Sequence, residues 1–196
     1  MQALYIPPDH FRELRPEEIF PGSERPLEVE LGCGDGTFLA AMATEHPERD
    51  FLGVERMRSR VASTARKIQA QQLGNARVMR LESAYTVAWL LPTASVSRLH
   101  LLCPDPWPKI KHEARRLVNQ EEFLNGLERI LKPGGEFMLK TDDAVYFGDA
   151  MNSLSSRTAF EELEWPQSLC YYPTTDFEKQ WLALERTIYR GRWRKR

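Results

Sequence analysis

Residues 27–43 constrain this chain more than any other stretch. Leu27-Glu28-Val29-Glu30-Leu31 alternates apolar and acidic residues as a strand does. It runs straight into Gly32-Cys33-Gly34-Asp35-Gly36, and Thr37-Phe38-Leu39-Ala40-Ala41-Met42-Ala43 then reads as a helix that ends before Pro47. Strand, glycine loop and helix in that order open a nucleotide-binding βαβ unit. The next strand, Phe51-Leu52-Gly53-Val54, ends on Glu55, 19 positions beyond Gly36. An acid about 20 residues on is the group that hydrogen-bonds a ribose in such units.

The pattern repeats along the chain. A helix over 58–73 carries Val61, Ala65, Ile68 and Leu73 on one side, and a strand over 76–81 leads to Glu82-Ser83-Ala84. A helix near 86–91 precedes a strand at 96–103. A helix over 119–131 stops at Lys132-Pro133-Gly134-Gly135, and Glu136-Phe137-Met138-Leu139-Lys140 is a strand ending on Thr141-Asp142-Asp143. Helix 146–154, a strand within 160–172, a helical segment from Thr174 to about Arg186 and a strand over 187–193 complete the order. Alternation of this kind predicts an α/β, Rossmann-like fold: a mostly parallel seven-stranded sheet with helices on both faces. Ligands then sit beyond the C-terminal strand ends, where Gly32, Gly34, Gly36, Glu55, Ser83, Asp105 and Asp142 all fall.

The second informative stretch follows the strand at 96–103. Pro104-Asp105-Pro106-Trp107-Pro108-Lys109 has three prolines in five residues, which neither continue a strand nor start a regular helix. The chain leaves the sheet rigidly and presents an acid, a large aromatic and a lysine, with Lys111, His112, Arg115 and Arg116 behind them. A stiff loop of this composition is site material; read blandly, it is a proline-rich turn with a solvated basic face.

Composition bounds the rest. The 196 residues suit one domain over 27–196 with an arm over 1–26, and 42% hydrophobic content supports a core. A net charge of −1 gives no global field toward nucleic acid, yet residues 190–196 hold four arginines and a lysine without an acid. Cys33, Cys103 and Cys170 are too few and too far apart for a disulfide framework or a zinc site. The first residues lack a basic start and an apolar run of signal length, so a cytoplasmic protein is expected, with no membrane and no metal.

The glycine loop is G-x-G-x-G, not the dinucleotide G-x-G-x-x-G, and Glu30 just before it would repel a pyrophosphate. The acid suits a ligand with a cationic end. S-adenosylmethionine carries an ammonium and a sulfonium, and its carboxylate can meet free N–H groups near Gly36. Glu30-Leu31-Gly32-Cys33-Gly34-Asp35-Gly36, with Leu131-Lys132-Pro133-Gly134-Gly135 downstream, resembles the S-adenosylmethionine-dependent methyltransferases, class I.

Three further segments sharpen the resemblance. Asp105-Pro106-Trp107-Pro108-Lys109 with its basic run, Thr141-Asp142, and Thr175-Asp176-Phe177-Glu178 together look like the bacterial tRNA (guanine-N(7)-)-methyltransferase family, over about residues 27–190. The resemblance implies methyl transfer to N7 of a guanosine in the tRNA variable loop, by a monomer or homodimer. It implies cofactor contacts at Glu30, Gly32, Gly34, Gly36, Glu55, Ser83 and Asp105, with Asp105 also catalytic. Lys109, Asp142, Thr175, Asp176, Phe177 and Glu178 would hold the substrate, and Lys111, His112, Arg115 and Arg116 would lie along the RNA. Asp142 or Glu178 would accept from the N1–H and N2–H₂ edge of guanine. Asp143 reads as a helix cap, and Thr175 as a cap that Glu178 completes as a capping box.

The chain departs from the family's pattern at Ser83, where an Asp or Asn is usual, and at Trp181 and Glu185, where glycines are usual. Its arm is acidic where many relatives are basic. The alternatives are a methyltransferase for another RNA or a small molecule, and an RNA-binding relative without turnover.

Overall fold

The computed structural model describes residues 2–165 and 172–196. In chain order the elements are β1 (Leu4–Tyr5), α1 (Pro16–Ile19), β2 (Leu27–Leu31), α2 (Thr37–Glu45), β3 (Asp50–Glu55), α3 (Arg58–Ala70), β4 (Ala76–Arg80), α4 (Ser83–Tyr85), a π-helical turn (Thr86–Leu90) and β5 (Val96–Leu102). Two 3₁₀ turns (Ile110–Arg115 and Leu117–Asn119) then lead to α5 (Glu121–Ile130), β6 (Leu131–Thr141), α6 (Ala144–Ser155), β7 (Phe160–Leu163), α7 (Asp176–Ala183) and β8 (Tyr189–Lys195).

The strands form one sheet in the order β1-β4-β3-β2-β5-β6-β8-β7. All neighbours are parallel except β6–β8 and β8–β7. The order reverses direction at β2, with β3 on one side and β5 on the other, so a crevice opens over the end of β2. The eighth strand comes from the arm: Leu4 and Tyr5 pair with Val78 and Met79 along the free edge of β4, and Ala3 O accepts from Val78 N at 2.8 Å. Two residues are too few to leave a period-2 signature, so sequence patterning yields seven strands.

Alternation along β2 sorts its side chains. Leu27, Val29 and Leu31 enter a core with Leu99, Leu101, Phe137, Leu139 and Trp193 of neighbouring strands, sealed by Val87 of the π turn, Phe123 and Leu127 of α5, and Tyr146 and Leu154 of α6. A second, smaller core on the other face packs Phe38, Leu39 and Met42 of α2 and Val61 and Ile68 of α3 on Phe51 and Val78. The arm shares in both: Ala3, Tyr5, Leu14, Ile19 and Phe20 are buried.

Glu28, on the opposite face from Val29, is fully buried, and Arg49, Arg98 and His100 all bond it. Burial alone would raise this carboxyl, but the three partners hold it at about 2. His100 Nδ1 in turn meets Tyr172 Oη at 2.8 Å. His100 is thus a structural histidine.

Part of the basic C-terminal strand is tied down within the fold. Arg192 bonds Glu136, Arg190 bonds Glu178, and Lys195 donates to the carbonyls of Glu128 and Leu131. No helix among the described residues is long and apolar enough to cross a membrane.

Candidate active site

The glycine turn after β2 has three left-handed residues, Gly32 (φ +67°), Gly34 (φ +57°) and Gly36 (φ +77°). Gly36 is the one with no room at all. A Cβ there would lie 2.5 Å from Thr64 Cγ2, because α3 packs directly on the turn. A Cβ at Gly32 would meet nothing within 4 Å, so the backbone there borders open space. Thr64 Oγ1 donates to Gly34 O at 3.0 Å and fixes the turn from behind.

Two acids face this turn. Glu55 is buried, and backbone N–H groups hold both of its oxygens: Met57 N donates to Oε1 at 2.8 Å and Gly34 N to Oε2 at 3.2 Å. Its orientation is therefore set before any ligand arrives. Glu30 is 4% exposed, and its Oε2 is sealed from solvent without a hydrogen-bond partner among the described residues. Burial, and then repulsion from Asp35 and Glu55, push the Glu30 carboxyl well above the usual carboxylate range. A buried acid left in this state is a socket for a cation. Asp35 is not available for that role, since Lys67 Nζ bonds it at 2.8 Å and Thr37 Oγ1 donates to it as well. Ser83 opens α4 after β4 and is half-buried; the adjoining Glu82 caps that turn by accepting from Ala84 N and Tyr85 N.

Across the crevice, β5 ends in the proline corner. Cys103 (φ +48°) and Trp107 (φ +46°) are both left-handed without being glycine, so the loop holds conformations that side chains disfavour. Arg116 explains how. It is 4% exposed, its Nε donates to Pro106 O at 2.9 Å, its Nη2 to Trp107 O at 3.3 Å, and its Nη1 lies 2.5 Å from Asp149 on α6. The family resemblance implies RNA contact for Arg116. The structure instead makes it the buried bracket of the loop, because the 3₁₀ turn points it inward. Arg115 lies over the Trp107 ring at 4.9 Å, and His112 meets the same ring edge-on. Lys109, Lys111 and Arg115 are exposed. Asp105 is 75% exposed on its side chain, with Arg56 Nη2 3.9 Å away.

The third wall comes from β6 and α7. Asp143 caps α6 by accepting from Tyr146 N at 2.7 Å, which leaves Asp142 facing the crevice end of the sheet, half-buried, with Arg186 Nη1 3.1 Å away. Arg186 in turn lies over the Trp181 ring at 4.2 Å. Trp181, which departs from the family's pattern, thus supports an arginine on a candidate recognition acid. Glu185 adopts φ +56°, so its backbone keeps a glycine-like conformation at a position where the resemblance leads one to expect glycine.

Thr175 caps α7 by accepting from Glu178 N at 3.1 Å. The capping box expected of Glu178 does not form. Glu178 is 2% exposed, with Lys140 Nζ 2.7 Å from one oxygen and Arg190 Nη2 3.0 Å from the other. Long-range pairing with β6 and β8 outcompetes the local box. The side chains of Asp176 and Phe177, and Cys170, lie outside the described residues.

A crevice over a reversing parallel sheet, with a glycine turn, an unpartnered buried acid and a second acid held by backbone N–H groups, has the Rossmann-like architecture of a class I methyltransferase. The family model described as "Putative methyltransferase" matches residues 24–191. The tRNA (guanine-N(7)-)-methyltransferase of Syntrophotalea carbinolica is 36% identical over 171 residues, which cover 86% of this chain and 73% of that protein. The one from Geobacillus thermodenitrificans is 33% identical over 189 residues, 94% and 86% of the two chains. Among solved structures, the 16S rRNA methyltransferase KamB superposes with a TM-score of 0.67 at 15% identity, covering 94% of this chain and 95% of that one, a likeness of fold. The chain belongs to the tRNA (guanine-N(7)-)-methyltransferase family.

Proposed function

We propose that this chain transfers the methyl group of S-adenosylmethionine to N7 of a guanosine in the tRNA variable loop. The observation that carries the reading is Glu30, a buried carboxylate with an unpartnered oxygen beside a glycine turn that borders open space. That donor set fits an amino acid ammonium, and Glu55, already held by two N–H groups, keeps lone pairs for ribose hydroxyls. Gly32, Gly34 and Gly36 border the same ligand, with Ser83 on its adenine side. When bound, the cofactor supplies an electrophilic methyl group.

The chain's own task is then positioning. Guanine N7 carries an in-plane lone pair, so no proton has to leave before attack, and in-line approach at roughly 3–3.5 Å is the main requirement. The product ring is cationic, and Asp105 on the stiff corner favours the charge as it develops. Asp142 accepts from the N1–H and N2–H₂ edge that distinguishes guanine from adenine. Lys109, Lys111, His112 and Arg115 lie along the RNA, and the segment from Thr175 closes the substrate side. Glu178 acts there by anchoring α7. A cytoplasmic location accords with a tRNA substrate.

The test is direct. Transfer RNA incubated with the protein and methyl-labelled cofactor is digested to nucleosides, and label in 7-methylguanosine is the expected result. Label in another nucleoside, or in a different RNA only, would redirect the substrate assignment.

A further inference from the structure

Four arginines that no sequence motif singles out stand at the mouth of the crevice. Arg56, Arg58 and Arg60 follow β3 directly, and Arg80 ends β4 in register with Glu55. All four are exposed. Arg80 Nε donates to Arg56 O at 3.4 Å, which joins the two groups into one patch. Most other arginines of the fold have a close acid or a carbonyl to bond. Here the sole ion pair among the described residues is Arg56 with Asp105, at 3.9 Å between two exposed side chains, and Arg58 and Arg60 make none. A pair that long and that wet neutralises little.

The nearby acids are already engaged. Glu55 accepts from Gly34 N and Met57 N, Glu82 caps α4, and Asp35 is bonded by Lys67. The cations are also placed against local preference. Arg58 and Arg60 lie in the first turn of the 13-residue α3, which holds no acid, and the helix dipole there disfavours positive charge. An unrelieved cluster of this sign calls for a polyanion.

Topology says which one. The sheet runs β4-β3-β2-β5, so the arginines after β3 and β4 and the cations after β5 flank the glycine turn of β2 from opposite sides. We infer that Arg56, Arg58, Arg60 and Arg80 form a second phosphate-binding rim, so that the RNA is held across the crevice between them and Lys109, Lys111 and Arg115. The inference rests on the tRNA reading and adds to it the face that grips the backbone on the cofactor side.

The experiment compares wild type with R58Q/R60Q, neither of which touches the glycine turn, Glu30, Glu55 or Asp105. Affinity for tRNA is measured across a salt series, together with S-adenosylhomocysteine affinity. The expected result is unchanged S-adenosylhomocysteine binding, with a salt slope shallower by about 0.7–0.9 for each phosphate that is no longer neutralised. A second variant, R58K/R60K, keeps both charges and retains the wild-type slope. An unchanged slope in an R58Q/R60Q protein that still binds S-adenosylhomocysteine overturns the rim, as it would if the partner were an acidic protein. Should R58Q/R60Q fail to fold, a wild-type slope in R58E, with S-adenosylhomocysteine affinity intact, overturns it equally. If the wild-type protein makes no 7-methylguanosine but the slope still falls, the rim stands and the methylation reading is what fails.

Discussion

Lys140 Nζ lies 2.7 Å from Glu178 Oε2, with both side chains 5% exposed or less. The Tyr172 ring covers the ammonium at 4.8 Å, and burial lowers the Lys140 pKa below the ordinary amine range. This pair fastens α7 to the end of β6, one residue before Thr141-Asp142. Breaking one half of a buried pair is worse than removing both. Glu178→Leu leaves the buried Lys140 ammonium without its carboxylate and is therefore expected to lower stability by about 3–5 kcal/mol, and Lys140→Met/Glu178→Leu to recover most of that loss. Urea denaturation of the two variants checks it; strict additivity would mean the pair is not coupled.

Arg116 reaches two carbonyls and a carboxylate with three different nitrogens, a geometry that a lysine cannot reproduce. Arg116→Lys is expected to keep the positive charge and yet lose methylation with only a modest fall in melting temperature. Asp105 and Trp107 would no longer be held in place. Wild-type turnover in that variant would show that the corner is stiff from its prolines alone.

Glu30 supplies the pH dependence. A carboxyl raised above its unfolded value contributes its full stability below the ordinary carboxylate range, and that contribution is lost as pH rises through the folded pKa. The cofactor-free protein is thus expected to lose stability as pH climbs from the carboxylate range toward neutrality. Glu30→Gln removes this loss, and a rise in melting temperature of about 2–4 °C near neutral pH would correspond to about 1 kcal/mol. The same variant should bind S-adenosylhomocysteine poorly. Calorimetry across pH, with and without S-adenosylhomocysteine, reads both effects.

Asp105 is highly exposed, and its ion pair with Arg56 is long. Asp105→Ala is expected to fold normally and to lose methylation by about 10²–10³-fold, the size of loss seen when a preorganised electrostatic partner is removed. Circular dichroism and a labelled-methyl assay on the same preparation decide it. Normal turnover would remove Asp105 from the mechanism.

Lys111 and Arg115 are exposed beside Trp107. Changing both to Ala is expected to weaken tRNA binding and to reduce its salt slope by about 1–2, one step for each phosphate left without its cation. Filter binding over a salt series measures it, and an unchanged slope would turn this face away from RNA.

Much of this protein is readable before any coordinate is known. The strands, the glycine turn of Gly32 to Gly36, the proline corner and the caps at Asp143 and Thr175 are local, because φ/ψ preference, missing donors and short-range capping act within a few residues. The alternation of elements also dictates the parallel sheet and the end at which the candidate residues gather. What only the tertiary structure decided is which charges remain free. Arg115 and Arg116 are neighbours, yet one lies exposed over Trp107 while the other is buried against Asp149, 33 residues away. Glu178 meets Lys140 across 38 residues, whereas Asp142 stays at the crevice. Arg190 and Arg192, basic in sequence, are neutralised by Glu178 and Glu136, while Arg58 and Arg60 have no acid paired with them among the described residues. Ion pairing depends on which groups the fold brings within a few ångströms, and no local pattern carries that information.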